Sequence, residues 1–416
     1  MRWEVIGNIL TLAAVSFIDI PNSSRLLSDR DHDQSRTSLL GEILSAADCC
    51  QKFCNQIDEN ELVVSFHYNY SMLATFRHGY SARALWGNVS SLAAAIYASG
   101  VHLDAVSDDH PLFLRQWRRR CFAAAFVVDK SLATYLRRPP LLQSRYCVLT
   151  PPLDIDDEED TVQSNVSVDE TAEYLNEYGW NVGGVPRPIT FIRLRFLNLL
   201  RRAEATWNAC PVSMRYTPSL WNQDRDIEEI WFLMLTYLDY LYSLFLIHMT
   251  VAQHTATKSA ALYSTARELL QRNRVSGVKS DLTWVFLLYG LSSAELPSHE
   301  LLLQSQSQHP SSPETTHLPR SELIQNLSVF ISYLDWVAMP GHRNHDPCKE
   351  GVKKLKGILD QILDPRSQER QELPEPMMMT AGGDYYYFAR DGVGDVEFPF
   401  DWYNLGSSNR GWGRIV

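Results

Sequence analysis

The chain of 416 residues predicts an all-α protein, a multi-helix array of antiparallel helices followed by an acidic-aromatic C-terminal tail. Three observations carry this prediction. Apolar side chains recur at three and four positions along most of the chain, the spacing of one helix face. The alternation of β-branched and polar residues that marks a half-buried strand is nearly absent, as are the tight Asn-Gly turns that join strands. Helix boundaries also have residues that explain them: Gly100 suits a left-handed stop, Pro111 a first helical turn, and Pro139-Pro140 cannot continue a helix.

Taken in order, the periodicity places helices over Trp3–Asp19, Ser38–Gln56, Asn60–Arg77, Ser81–Ser99 and Pro111–Leu136. It resumes over Thr190–Asn208, Asp224–His254, Thr257–Arg274, Leu282–Glu295, Ser321–Ala338 and Lys349–Leu363. In the first helix Trp3, Ile6, Leu10, Ala13 and Phe17 repeat at helical spacing and are expected to form the buried stripe. Glu4 stands where a signal peptide would be positive, so Val5 to Ile18 reads as an amphipathic helix and not as a secretory leader. Between Pro139 and Pro188 the pattern gives way to prolines, an acidic run and Gly183-Gly184, which predicts a long extended connection. Residues 304–319, rich in Ser, Gln, Pro and His, read as a flexible insert, and 364–416 as a disordered tail, so residues 1–363 form the helical domain.

Acidic side chains number 49 against 38 basic ones, a formal charge of -11, which excludes bulk attraction to a polyphosphate. The seven cysteines are too scattered for a disulfide framework and read as reduced thiols; Cys49, Cys50 and Cys54 are expected to pack in a core. No stretch reaches the roughly 18 uninterrupted apolar residues of a spanning helix. The nearest, Ile230 to Val251, carries Asp239 and His248 and reads as a buried helix, so no membrane is expected.

Candidate chemistry is sparse. Arg115, Arg118, Arg119 and Arg120 form a basic cluster, with Arg137 and Arg138 at the end of the same helix. Such guanidiniums suit anion or nucleic-acid contact, but the acidic balance favours pairing with Asp104, Asp108, Asp109 or the run from Asp154 to Asp160. Asp156-Asp157-Glu158-Glu159-Asp160 resembles the aspartate-rich pattern with which isoprenoid synthases hold magnesium, an alternative enzyme reading that lacks a second carboxylate motif downstream. His342, His345 and Cys348 have spacings that could touch one metal, yet Pro340, Gly341 and Pro347 predict a loop there. No phosphate loop, nucleophile elbow or HExxH appears. The expectation is a protein without catalysis and without a cofactor. In the tail, Tyr385, Tyr386, Tyr387, Phe388, Phe398, Phe400, Trp402 and Tyr403 are interleaved with Asp384, Asp391, Asp395, Glu397 and Asp401. Acidic residues keep aromatics solvated and available, the composition of activation segments that dock onto coactivators; the other reading is an ordered strap over a seam of the body.

One series of motifs resembles a known family. Ala94-Ala95-Ile96-Tyr97-Ala98-Ser99-Gly100-Val101-His102-Leu103-Asp104 is followed by Trp117-Arg118-Arg119-Arg120, then Asp129, then Leu136-Arg137-Arg138-Pro139-Pro140. Order and spacing resemble the fungal-specific transcription factor domain, the middle homology region of fungal zinc-cluster regulators. The segment from Cys147 to Asp154 and Tyr178-Gly179-Trp180-Asn181 are also similar to the stretch after that proline turn in many members. Arg137 departs from the family's usual glycine and Cys121-Phe122 from its frequent Trp-Trp pair. The six closely spaced cysteines of the zinc cluster are absent. The resemblance implies a helical regulatory region without its own DNA-binding module, acting in the nucleus on metabolic or secondary-metabolite genes. It also implies that the Arg-rich helix and Arg-Pro-Pro turn are structural, that the chain dimerises with itself or another regulator, that DNA is reached only indirectly, and that the helical body senses a small-molecule effector or receives an inhibitory partner. A helical scaffold without regulatory output is the blander alternative.

Overall fold

In the computed structural model the described residues are 2–19, 32–56, 60–78, 83–103, 111–136, 138–148, 150–155, 175–200, 203–255, 260–272, 283–306, 320–337 and 344–363. The chain divides into two compact units, Met1–Tyr174 and Leu175–Val416. Among the described residues both units are helical; the sole β feature is an isolated bridge between Leu175 and Asn181.

The first unit holds α1 (Trp3–Asp19), α2 (His32–Cys54), α3 (Glu61–His78), α4 (Arg83–Ala98) and α5 (Leu112–Leu136). Helix α3 is its centre, packing on α1, α4 and α5. Val63, Val64, Phe66 and Leu73 supply the buried face of α3. Ala74 then joins Leu85 and Val89 of α4 and Leu132 of α5 in one apolar cluster. As predicted, α4 stops at a left-handed Gly100, with φ of 70°.

Helix α1 corrects the sequence reading of its buried face. The residues wholly out of water are Glu4, Gly7, Thr11 and Ala14, spaced three, four and three, while Trp3 is exposed and stacks on Phe53 with ring centroids 4.5 Å apart. Small residues win this face because Gly7 lies directly against the Phe66 ring, an approach that larger apolar side chains would prevent. Buried Glu4 is held by Arg2, at 2.5 Å, and by Asn60. Cys50 and Cys54 are buried as expected, whereas Cys49 is exposed.

The second unit holds α6 (Pro188–Leu200), α7 (Ala203–Ala209), α8 (Ile227–Thr255), α9 (Ala260–Arg272), α10 (Ser292–Gln306), α11 (Arg320–Val337) and α12 (His345–Leu363). Thus the predicted helix over 190–208 is two elements. Helix α8 is the axis, with α6, α7 and α9 against it. Its stretch Glu229–Met249 is long and apolar enough to cross a membrane by length and composition, but 56% of its most apolar window is buried in the unit, as the reading of a buried helix requires. Three boundaries differ from expectation by four residues or more. Helix α2 begins six residues before Ser38. Helix α10 runs through Pro297 to Gln306, past the predicted end at Glu295, because burial of Leu296, Leu301 and Leu302 along one element outweighs one missing backbone bond. Helix α12 starts at His345, with Pro347 in its first turn, where proline loses no hydrogen bond. The turn Thr283–Val285 enters α10 through a π-helical segment, Phe286–Leu291. At Gly290 of that segment a Cβ would lie 2.3 Å from Phe330 of α11, so only glycine permits the contact. The insert over 307–319 and the tail over 364–416 lie outside the described residues.

His67 of α3 is buried, and its Nδ1 has no hydrogen-bond partner. Burial lowers its pKa from 6.5 to about 4, so the folded chain keeps the ring neutral. A histidine whose folded pKa is depressed stabilises fully above its unfolded value and loses that contribution as pH falls from 6.5 toward 4. The loss should approach about 3 kcal/mol. Urea unfolding at pH 7 and pH 4 should therefore show a smaller acid loss in His67→Met than in the parent chain; equal losses would contradict the assignment.

Candidate functional site at the Arg-Pro-Pro strap

After α5 the chain cannot continue as helix through Pro139-Pro140, and residues 138–148 and 150–155 run as an extended strap with one short 3-10 turn, Ser144–Tyr146. An extended segment has no internal backbone pairing, so its N–H and C=O groups must find partners elsewhere. The motif residues supply them. Asp129 of α5, wholly buried, accepts from Leu141 N–H through Oδ1 and from Leu142 N–H through Oδ2, both at 2.9 Å. Lys130 completes the arrangement: its Nζ lies 3.0 Å from Asp129 Oδ2, donates to the Leu142 carbonyl, and sits 4.4 Å from the Phe126 ring centroid.

The remaining clamps run along the strap in order. Arg138 lies over the Trp86 ring of α4 at 5.3 Å. Tyr97 hydroxyl accepts from Gln143 N–H at 3.1 Å and donates to the Leu141 carbonyl at 3.3 Å. The His102 carbonyl accepts from Val148 N–H at 2.8 Å, while its ring packs edge-on against Tyr97 and its Nδ1 lies 3.2 Å from the Ile96 carbonyl. Buried Gln116 accepts from Leu153 N–H at 2.9 Å, and Arg120 donates to the Ile155 carbonyl at 2.7 Å. Residues of α4, of α5 and of the short turn at His102 thus hold seven strap residues between Arg138 and Ile155.

The predicted motif positions separate accordingly. Gly100, His102, Arg120, Asp129 and Arg138 act on the strap or its approach; Pro140 is half-buried and Pro139 exposed. Arg118 instead pairs with Glu61 of α3, a carboxylate that spacing along α5 did not suggest. Arg115, Arg119 and Arg120 also interact within the chain, so the cluster is not a set of free guanidiniums. Trp117 is half-buried on the same helix. Asp104, Asp108, Asp109, Arg137 and residues 156–160 lie outside the described residues, as do the tail positions Tyr385 to Tyr403. Lys130 and Gln116 were missed by motif reading, and Tyr97 stood in the first motif without an assigned role. Their signal was present: a lysine and a glutamine on the apolar surface of α5 need partners wherever that surface is buried.

The chemistry open to this site is positional. Both Asp129 oxygens are already occupied, and burial pushes the Lys130 pKa down against the pull of Asp129. Burial also raises the Cys147 thiol, away from the thiolate a nucleophile needs. Among the described residues no group of His, Cys, Asp and Glu could hold a metal ion. The expected loop at His342, His345 and Cys348 is corrected for its last two members, which lie in α12. Cys348 is buried there, its thiol pushed up to about 12.

The second unit has its own polar centre. Asp239, the acid inside the apolar stretch of α8, pairs with Arg195 of α6 and accepts from the Tyr289 hydroxyl. The π-helical segment carries Tyr289, whose hydroxyl burial holds well above its usual range. Before α6, the Asn176 side chain caps the turn through Tyr178 and Trp180, and Arg193 lies 4.8 Å over the buried Trp180 ring.

Replacing Asp129 with Ala should lower stability by about 3–5 kcal/mol, because it orphans two strap N–H groups and leaves Lys130 buried without its counter-charge. Lys130→Met should lose less, since the carboxylate keeps both backbone donors. Chemical denaturation measures the order, and limited proteolysis should cut D129A first within residues 138–155.

No curated protein and no solved structure matches the chain. Residues 24–180, which contain α2 to α5, the strap and the turn to Trp180, match the family model of the fungal specific transcription factor domain.

Proposed function

We propose that the chain is the regulatory region of a nuclear transcription regulator, not an enzyme, controlling metabolic or secondary-metabolite genes. The observation that carries the reading is the family match over residues 24–180, whose described charged motif residues hold the strap, as Asp129 and Arg120 do, or pair with a neighbouring helix, as Arg118 does. DNA is reached through a module or partner other than the described helices, in keeping with the net charge of -11 and the absence of six clustered cysteines. The regulator dimerises with itself or with a DNA-binding partner, takes a small-molecule effector in its helical body, and needs no metal in this chain. Residues 364–416 serve as an activation segment whose solvated aromatics dock onto a coactivator.

Joining the full chain to a heterologous DNA-binding domain tests this directly. Reporter transcription should rise, and removal of residues 364–416 should abolish the rise while leaving the far-ultraviolet helical signal of the body. A silent full-length fusion that accumulates in the nucleus would remove the activation reading, and diphosphate turnover by the purified chain, lost on Asp156→Ala, would replace it with the magnesium enzyme.

A further inference from the structure

Asn198 of α6 is 1% exposed, and neither its amide oxygen nor its amide nitrogen has a hydrogen-bond partner or contact with water. Exchanging the two atoms by an amide flip changes nothing, since both are unmatched. Two other buried asparagines of the same unit are tied at the side chain. Asn181 donates to the Val185 carbonyl at 3.0 Å and accepts from Val185 N–H at 3.1 Å, and Asn344 donates to Thr283 Oγ1 at 2.8 Å. A buried amide with both ends unmet opposes folding, and leucine would fill similar volume without that penalty.

Helical spacing puts Asn198 on the face of α6 that carries Arg195 one turn earlier and Phe191 two turns earlier. Around Arg195 the charges are already matched: its guanidinium is held by Asp239 and lies 5.1 Å from the Phe191 ring centroid and 5.9 Å from that of Trp284. Asp239 in turn takes the Tyr289 hydroxyl, which the π-helical segment delivers. An ionic ligand would find no unmatched charge in that pair, whereas Asn198 offers one donor and one acceptor side by side. The complement is a neutral planar group with an adjacent N–H and C=O, which pairs with a primary amide through two parallel hydrogen bonds. Aromatic rings on the same helix face favour a flat, unsaturated body for such a ligand.

We infer that Asn198 is the recognition group of a small-molecule site in the second unit, and that the site takes a neutral lactam, imide or carboxamide on a flat ring. This rests on the effector part of the function proposed above, and names its place and ligand class.

The purified full chain, melted with millimolar 2-pyridone or with N-methyl-2-pyridone, tests the assignment. The two probes differ in the one N–H that Asn198 would need. In the parent chain 2-pyridone should raise Tm and its methylated form should not. Asn198→Leu should melt roughly 2–8 °C higher than the parent without ligand and should not respond to either probe. Asn198→Ala, judged by probe response alone, serves if the leucine variant does not fold. Equal shifts from both probes, no shift in the parent chain, or a response kept in N198L or N198A would each overturn the site. A buried water that satisfies Asn198 would overturn it too, and would show as a lower Tm in N198L with no probe response. Probe binding with a silent reporter fusion would remove the regulator and leave the site; an active fusion without probe binding would do the reverse.

Discussion

The architecture of the first unit depends on one carboxylate. A strap that comes after a proline pair has backbone groups with no helical or sheet partners, and it can lie against a helical body only where side chains satisfy them. Asp129 satisfies two consecutive N–H groups with its two oxygens, just where the chain leaves α5 and turns back. Charge-assisted bonds of this kind are roughly twice as strong as neutral ones, but a buried carboxylate has to be neutralised as well. Lys130, the next residue, does so and donates to the carbonyl of the same strap residue, Leu142. The other clamps, at Tyr97, His102, Gln116 and Arg120, are then near their partners and add bonds at little further cost in chain entropy.

This arrangement accounts for the charge of the Arg-rich helix within the fold itself. A guanidinium that donates to a strap carbonyl, as Arg120 does, or that pairs with a carboxylate on a neighbouring helix, as Arg118 does, has given up hydration and freedom for an internal partner. An incoming phosphate would have to compete with both. The second unit follows the same rule on α8, where Asp239 interrupts an apolar run and is matched by Arg195 and Tyr289. In both units the polar side chains within apolar helices mark where separate elements are joined.

Much of this was legible in the residues, for physical reasons that also define where legibility ended. Helical periodicity found nearly every element, because the burial that stabilises a helix is written on one face of it. Gly100, Pro111 and Pro139-Pro140 gave firm boundaries because each acts through its own backbone. The buried stripe of α1 was misread because burial there is decided by how closely two helices approach: Glu4, Gly7, Thr11 and Ala14 are small or paired, and hydrophobicity does not rank them first. The helix end at Glu295 and the loop expected at Pro347 were misread for a related reason, since tertiary burial and a first-turn position can absorb a proline that local rules treat as a stop. At the strap, the motif named Asp129 but not Lys130 or Gln116, and it contained Tyr97 without showing what its hydroxyl binds. Their partners are backbone groups 12 to 46 residues away in sequence, and no local pattern announces such a pairing.

Satisfaction of buried polar groups therefore separates the kinds of residue in this chain more sharply than burial does. Asp129, Lys130, Gln116 and Asn181 are all buried and all bonded, so each is accounted for by the fold that contains it. Asn198 is equally buried and unbonded at both ends, so the fold alone does not account for it. A core under pressure only for stability would replace such a side chain with leucine, because the amide contributes packing that leucine matches and a desolvation penalty that leucine lacks. Its presence beside a charge pair that is already matched points away from a structural role and toward recognition of something the chain does not itself contain.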